Sequence, residues 1–449
     1  MGQNQLKTMK ELMDVRDFRR LKECLVQLQE ADIAEFMEEL AGEKTVMVFR
    51  MLPKELATDV FAFLPAEKQQ EIIDSITDAE LQTVIEDLFV DDAVDMLEEF
   101  PANVVKRVLG NAKPDTRKQI NLFLQYPENS AGSIMTAEYM GLKKNMTVKE
   151  AFAYIRRNGV DKETIYTCYV MDHKRMLEGV VTVKELLMNP YEARLEDIMD
   201  SHVIKAVTTE DQEQVAEKFT KYDLLSLPVV DGENRLVGIV TVDDIVDVME
   251  QEATEDFEKM AAMVPSEKPY LKTSVFTLAG NRIMWLLILM VSSMITGGIL
   301  GRYENTFAVI PLLVTFIPML TDTGGNAGSQ SSTLIIRGMA VGEIEVSDLF
   351  KVLWKELRVG MVVGVILGVV NYIQLIIRFP GSEQICLTVV LSLFATVILA
   401  KTVGSILPMA ARMLRLDPAI MAAPLITTIV DGFSLVIYFQ IASRLLGLA

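Results

Sequence analysis

The 449-residue chain has a formal net charge of −19, is 50% hydrophobic, and holds only 3 cysteines and 2 histidines. Residues 1–259 carry 52 acids and 30 bases, whereas residues 260–449 carry 10 acids and 13 bases. An acidic first part disfavours nucleic acid, whose phosphates need Lys and Arg, and favours cations. Cys24, Cys168 and Cys386 lie too far apart in sequence for a disulfide framework or a metal-type spacing, and no nucleophile, base pair or cofactor motif points to an enzyme.

The opening MGQNQLKTMKELMD is polar and lacks the apolar run of a signal peptide, so the first part is expected in the cytosol. Residues 1–130 read as an acidic helical-repeat domain. Pro53, Pro65, Thr77, Val90 and Pro101 recur about every twelve residues and mark helix starts, with acids in the first turn where the helix dipole favours them. Asp91, Asp92 and Asp95 make one spot unusually acidic, and Asp91 and Asp95 share a helix face. A solvated acidic face and a cation site are both open there.

A tandem repeat follows, with copy one at 131–200 and copy two at 201–248. Met135 aligns with Met199, Gly179 with Gly238, and VVTVKEL with IVTVDDI. Each copy predicts a short strand, a helix, two strands joined by a turn, and a closing helix. His173 and His202 fall in turns and are expected at the surface. The pattern resembles a pair of cystathionine-β-synthase (CBS) domains, an α/β regulatory module. In such domains a G-x-x-[ST]-x-x-D ending holds a nucleotide ribose. Copy two matches it with Gly238, Thr241 and Asp244, while copy one has Gly179, Thr182 and Glu185, so the resemblance leaves open both adenine-nucleotide (ATP) binding at the pair and a purely structural pair.

Residues 249–280 form an acidic connecting helix and connector. From Asp243 to Glu258 the chain carries Asp244, Asp247, Glu250, Glu252, Glu255 and Asp256, with no base before Lys259. Like charges at i, i+3 and i, i+4 repel, and divalent cations would offset that repulsion.

Residues 281–449 are a polytopic α-helical membrane domain with five expected spans, at 282–301, 306–335, 358–378, 385–411 and 418–443. Gly360, Gly364 and Gly368 permit close helix approach in the third. Lys401 in the fourth is expected to snorkel and is given no role. In the second, Pro311, Pro318, Gly324, Gly325 and Gly328 predict a broken helix whose freed carbonyls, with Asn326, Gln330 and Asp322, offer hard oxygen donors. Asp431 is the only ionisable residue between Ala419 and Ala442. A carboxylate at that depth faces a wet cavity or a partner, and an ion pathway is the preferred reading over a carboxylate bound to a neighbouring helix. Oxygen donors without His or Cys favour magnesium or calcium over zinc or copper. Arg337, Lys351, Lys355, Arg358, Arg412 and Arg415 outnumber Arg302, Arg378 and Arg444 in the opposite connections, which places the first part in the cytoplasm and the C-terminus outside.

The order of modules, the segment Pro318-x(5)-GGNAGSQSSTLIIR, and the segment DPA-x(5)-PL-x(5)-D from Asp417 resemble the MgtE family of magnesium channels over nearly the whole chain. The resemblance implies a homodimeric, magnesium-selective, channel-like transporter of the bacterial inner membrane, in contact with lipid, with its pore on the dimer axis. It implies a pore site at Asp431, with the Thr427 backbone nearby and Asn326 lining the path. It also implies closure by cytosolic magnesium bridging Asp91 and Asp95, Glu213 and Asp223, and Asp244, Asp247, Glu252, Glu255 and Asp256 of the connecting "plug" helix. Asp322 departs from the family pattern and would add a second pore carboxylate. A secondary divalent-cation carrier and a CBS-based membrane sensor are the other function classes open.

Overall fold

The first part folds as its turn chemistry dictates. In the computed structural model, helices α1 (Gln3–Asp14) to α10 (Pro114–Phe123) are 8–12 residues long, and Pro53, Pro65 and Pro101 each sit immediately before a helix. Thr77 caps α7 (Asp78–Asp87) in a capping box with Glu80, which satisfies two otherwise orphaned N–H groups. Helix n packs on helix n+2 (α3, Glu30–Glu38, on α5, Lys54–Ala62; α5 on α7; α7 on α9, Ala102–Asn111), so the repeat closes into a two-layered superhelix. Arg107 ties successive layers by donating to Ile76 O at 2.8 Å and Asp78 Oδ1 at 3.1 Å. The description covers residues 3–266, 270–271, 273–304, 309–421 and 423–447. Parts of the expected connector (267–269 and 272), of the second span (306–308) and of the fifth (422) lie outside it.

Two three-stranded sheets follow. In the first, β1 (Gly141–Lys143) runs parallel to β2 (Thr167–Met171), which pairs antiparallel with β3 (Leu177–Thr182). In the second, β4 (Ala206–Val207), β5 (Ser226–Val230) and β6 (Leu236–Thr241) repeat that order, with a register shift at the matching position, Val170/Met171 and Val229/Val230. The copies exchange their leading segments. A Cβ at Gly238 would stand 2.7 Å from Met135 Sδ, and one at Gly179 would stand 2.7 Å from Met199 Sδ. Gly238 is therefore the seat for Met135 at the head of copy one, and Gly179 for its counterpart Met199 at the junction leading into copy two. The intervening helices are α11 (Val148–Asn158), α12 (Val183–Met188), α13 (Leu195–Ile198) and α14 (Gln212–Tyr222). His173 and His202 are surface residues, with side chains 83% and 97% exposed. Met135, Phe219, Ile245 and Val248 join one apolar core with the helical repeat.

The chain divides after Met249 into two compact units. Helix α15 (Val242–Met260) is continuous across that point. The second unit contains α16 (Val275–Arg302), α17 (Ile317–Ala340), α18 (Leu349–Arg378), α19 (Glu383–Met413) and α20 (Ala423–Leu446). Among the described residues, four helices are long and apolar enough to cross a membrane: Val275–Arg302, Val346–Arg378, Glu383–Met413 and Ala423–Leu446. The fifth, α17, is too polar to join them on composition. Gly360, Gly364 and Gly368 do bring α18 close to α19, where added Cβ atoms would lie 3.4 Å from Ile398 Cα, 2.9 Å from Phe394 and 3.3 Å from Val390.

The expected break in the second span is not at the glycines. Residues Pro311–Phe316 form a 3-10 turn, and α17 then runs unbroken through Gly324, Gly325 and Gly328. Pro318 sits in the first turn of α17, where its missing N–H costs nothing. Tyr438 Oη donates to Leu313 O at 2.9 Å, which satisfies a carbonyl of the turn. The glycines serve contact instead. Added Cβ atoms would come within 2.7 Å of Thr396 at Gly324, 2.8 Å of Thr427 at Gly325 and 2.8 Å of Ile426 at Gly328.

Candidate functional site

Two groups of acids stand out, one in each unit. In the first unit, α8 (Val90–Glu98) begins with Asp91 and Asp92, and Asp95 lies one turn on. Their charges act on Asp244 in the first turn of α15, and on Glu138 and Glu163 from the loops of copy one. Asp91 Oδ1 is buried without a hydrogen-bond partner. Burial first, then Asp92 and Asp244, raise the Asp91 carboxyl well above the usual range. Burial and Asp244 push Asp92 up to about 6. Asp95 opens to solvent on one side, yet crowding by its surroundings and by Glu98 and Asp92 pushes it to about 7. Glu163 rises to about 7 through burial, Asp243 and Asp244.

No Lys or Arg enters this group as a salt-bridge partner among the described residues. Thr241 and a hydroxyl of copy one relieve it: Thr241 Oγ1 donates to Asp244 Oδ2 at 2.6 Å, the Thr241 backbone also hydrogen-bonds that carboxylate, and Thr136 Oγ1 donates to Glu138 Oε2 at 2.7 Å. Burial still wins at Asp244, whose pKa is raised. Among the described residues no three acids, cysteines or histidines converge into a finished metal cage. A loose ring of carboxylates with one orphaned oxygen suits an ion held through its own waters, the habit of magnesium.

Sequence reasoning had Asp91, Asp92, Asp95, Asp243 and Asp244 among its acids, but not Glu138 or Glu163. Those two come from segments remote in sequence, and the lack of nearby bases was the one usable signal. Asp247 is exposed and acts on Asp244 along the helix. Glu213 starts α14 and Asp223 ends it, at φ 51°. Ten residues of helix separate them by about 15 Å, so within one chain they cannot hold one ion. Gly238 and Thr241 lie in β6 and Asp244 in the first turn of α15, where the Thr241 hydroxyl donates to the Asp244 carboxylate.

In the second unit the later acids of α15 meet a base. Lys259 Nζ bridges Asp417 Oδ2 at 2.7 Å and also contacts Glu255. Burial disfavours the charge of Lys259, but its bonds to Asp417 and Glu255 outweigh that and raise its pKa. Asp256 is raised by burial and by Asp417, and Glu252 adds to it.

Asp431 is half-buried on α20, at the crossing with α17. Val430 and Thr427 seat Gly324 and Gly325, and Asp322 is near enough for its charge to act on Asp431. The Thr427 hydroxyl donates to Pro424 O at 2.9 Å and is spent on its own helix. On α17, Asp322, Asn326 and Gln330 are all exposed. Spaced four apart, they form one polar stripe that a single chain leaves uncovered.

Three kinds of family model match the chain: an MgtE intracellular N domain over residues 28–129, CBS domains over 131–191 and 195–251, and a divalent cation transporter over 317–441. The magnesium transporter MgtE of Thermus thermophilus is 36% identical over 443 residues, covering 98% of each chain. The chain belongs to the MgtE family. The magnesium transporter MgtE of Bacillus subtilis is 32% identical, with 96% of this chain and 94% of that one covered. MgtE proteins are integral membrane transporters of magnesium, not enzymes. A crystal structure of the cytosolic domain of the Mg2+ channel MgtE in complex with ATP is 37% identical, covers 54% of this chain and 99% of that one, and gives a TM-score of 0.52.

Proposed function

We propose that this MgtE-family chain is a magnesium-selective, channel-like transporter for Mg2+ uptake, closed by cytosolic Mg2+. The observation that carries the proposal is the uncovered stripe of α17, Asp322, Asn326 and Gln330, beside Asp431 of α20. Polar side chains at membrane depth need water or a partner. A second copy of the chain facing this stripe would enclose a wet path with doubled carboxylates. With 24 residues, α17 is about 36 Å long and serves as the polar member of five spans. The first unit is then cytoplasmic and the C-terminus extracytoplasmic. Residues 1–130, 131–200, 201–248, 249–280 and 281–449 act as repeat domain, CBS copies, plug region and pore domain.

The gate follows from charge. Asp91, Asp92, Asp95, Glu138, Glu163 and Asp244 repel one another across the packed repeat and CBS elements. Bound divalent ions would supply the missing positive charge there, and weaker sites at Glu213, Asp223, Asp247, Glu252, Glu255 and Asp256 would steepen the response. ATP binding at Gly238, Thr241 and Asp244 is part of the same proposal, supported by the relative solved with ATP.

The test is magnesium flux into proteoliposomes, with magnesium varied on the side bearing the soluble unit. Flux that stops as magnesium rises on that side is expected. Flux indifferent to it would sink the gate, and no flux would sink the pore.

A further inference from the structure

Lys401 was expected to reach the membrane surface, and it does not. It is 5% exposed. A buried ammonium is costly unless paired. Its partner is Ser331 Oγ on α17, at 3.3 Å. Ser331 is 1% exposed and donates to Glu356 Oε2 on α18 at 2.6 Å. A hydroxyl has one proton and two lone pairs, so it can accept from the ammonium while donating to the carboxylate. Three helices thus meet in one directed chain from Lys401 through Ser331 to Glu356. The packing makes room for it: a Cβ at Gly360 of α18 would stand 3.7 Å from Lys401 Cδ, and one at Gly404 of α19 would stand 2.2 Å from Gly328 O of α17.

The next residue, Ser332, donates to Met421 O at 2.8 Å. Successive residues of a helix point about 100° apart. Two consecutive serines tied in different directions therefore fix the rotation of α17 about its own axis. That rotation decides where Asp322, Asn326 and Gln330 point. We infer that Lys401, Ser331 and Glu356 form a charge relay, running from the buried ammonium to the half-buried carboxylate, whose members are positioning residues for the polar stripe of α17. The relay sets the angle at which the stripe meets the ion. This role rests on the conduction reading above, while the charge coupling does not.

The test uses the full chain and the variants Lys401→Met, Glu356→Gln, Ser331→Ala and the Lys401→Met/Glu356→Gln pair. Thermal midpoints in detergent and magnesium flux in proteoliposomes are both read. Glu356→Gln leaves the buried Lys401 ammonium without its carboxylate, and Lys401→Met leaves the half-buried Glu356 without its cation, so each single variant should melt lower than wild type, Glu356→Gln the more so. The pair removes both charges and should recover most of that loss. The recovered pair and Ser331→Ala should still need several-fold more magnesium for half-maximal flux, because the stripe is no longer held. A pair as destabilised as the two single losses added together would overturn the charge relay. A recovered pair with the wild-type half-saturation would overturn the positioning role. Wild-type protein without flux would overturn the conduction reading, and the midpoints would still decide the coupling.

Discussion

The acids of the two units live under opposite rules. In the first unit Asp91, Asp92, Asp95, Glu163 and Asp244 crowd together with hydroxyls for relief and no base. In the second, Asp417 and Glu255 share Lys259, and Glu356 is joined to Lys401 through Ser331. Compensated charge is built to stay in one arrangement. Uncompensated charge has an energy that depends on what the solvent supplies. Within the second unit Asp431 and Asp322 follow the first unit's rule, since the charge of Asp322 acts on Asp431. The contrast locates where ions should matter and where they should not.

The sharpest way to break it is at Asp431. Asp431→Ala removes a carboxylate from the proposed path without touching the glycine contacts of Gly324 and Gly325. Magnesium flux should fall by at least ~100-fold, comparable to the mid-membrane cost of an unmatched charge. Flux within a factor of two of wild type, in protein that elutes and melts normally, would remove Asp431 from the mechanism. A large effect of another kind is expected at Gly404→Ala. Its Cβ would meet Gly328 O at 2.2 Å, a backbone atom that cannot swing aside. Overpacking of this sort costs about 1–3 kcal/mol, read as a lower thermal midpoint with magnesium dependence unchanged.

Much of this was legible in the sequence, for physical reasons that differ by region. The repeat helices announce themselves because Pro and Thr at helix starts act locally, as the Thr77–Glu80 capping box shows. The CBS copies were legible because Met135 and Gly238, and Met199 and Gly179, are matched as contacts as well as in alignment. The glycines of α17 misled, because helix propensity measured in water treats glycine as a breaker, whereas in a packed bundle a missing Cβ is what permits contact. Lys401 misled for the same reason: a lone lysine near a span end looks like a surface group until Ser331 and Glu356 arrive from two other helices. Glu138 and Glu163 could not be read locally, since only the tertiary fold brings copy one against α8.

A smaller effect sharpens the first unit's rule. Asp91→Asn removes both a repelling carboxyl and a ligand of the proposed ion site. Protease resistance of the full protein should rise in magnesium-free buffer, and the added protection from magnesium should shrink. The pH dependence has a definite sign. These carboxyls have folded-state pKa values above their unfolded ones, with Asp92 at about 6 and Asp95 and Glu163 at about 7. The packed arrangement therefore binds more protons than the unfolded chain, and its stability is full below about pH 4 and is lost as pH rises towards 7. Magnesium should protect strongly at pH 7.5 and weakly at pH 5, because protons then do the neutralising. Equal protection at both would mean that the ion acts elsewhere.

The smallest effect is expected at Lys259, and its smallness carries the argument. The Lys259–Asp417 bridge is partly solvent-exposed, at 24% and 31% of the side chains. Pairs of this kind are worth ~0–1 kcal/mol. Lys259→Met should lower the thermal midpoint slightly, and 1 M salt should erase most of the difference. The raised pKa of Lys259 contributes stability that is fully present below its unfolded value near 10.4 and lost only at higher pH, so the difference should be flat between pH 5 and 8. The Asp91 group should change steeply over that range. A steep change for Lys259→Met as well would mean that its acids titrate with the first group, and that the two units do not obey separate rules.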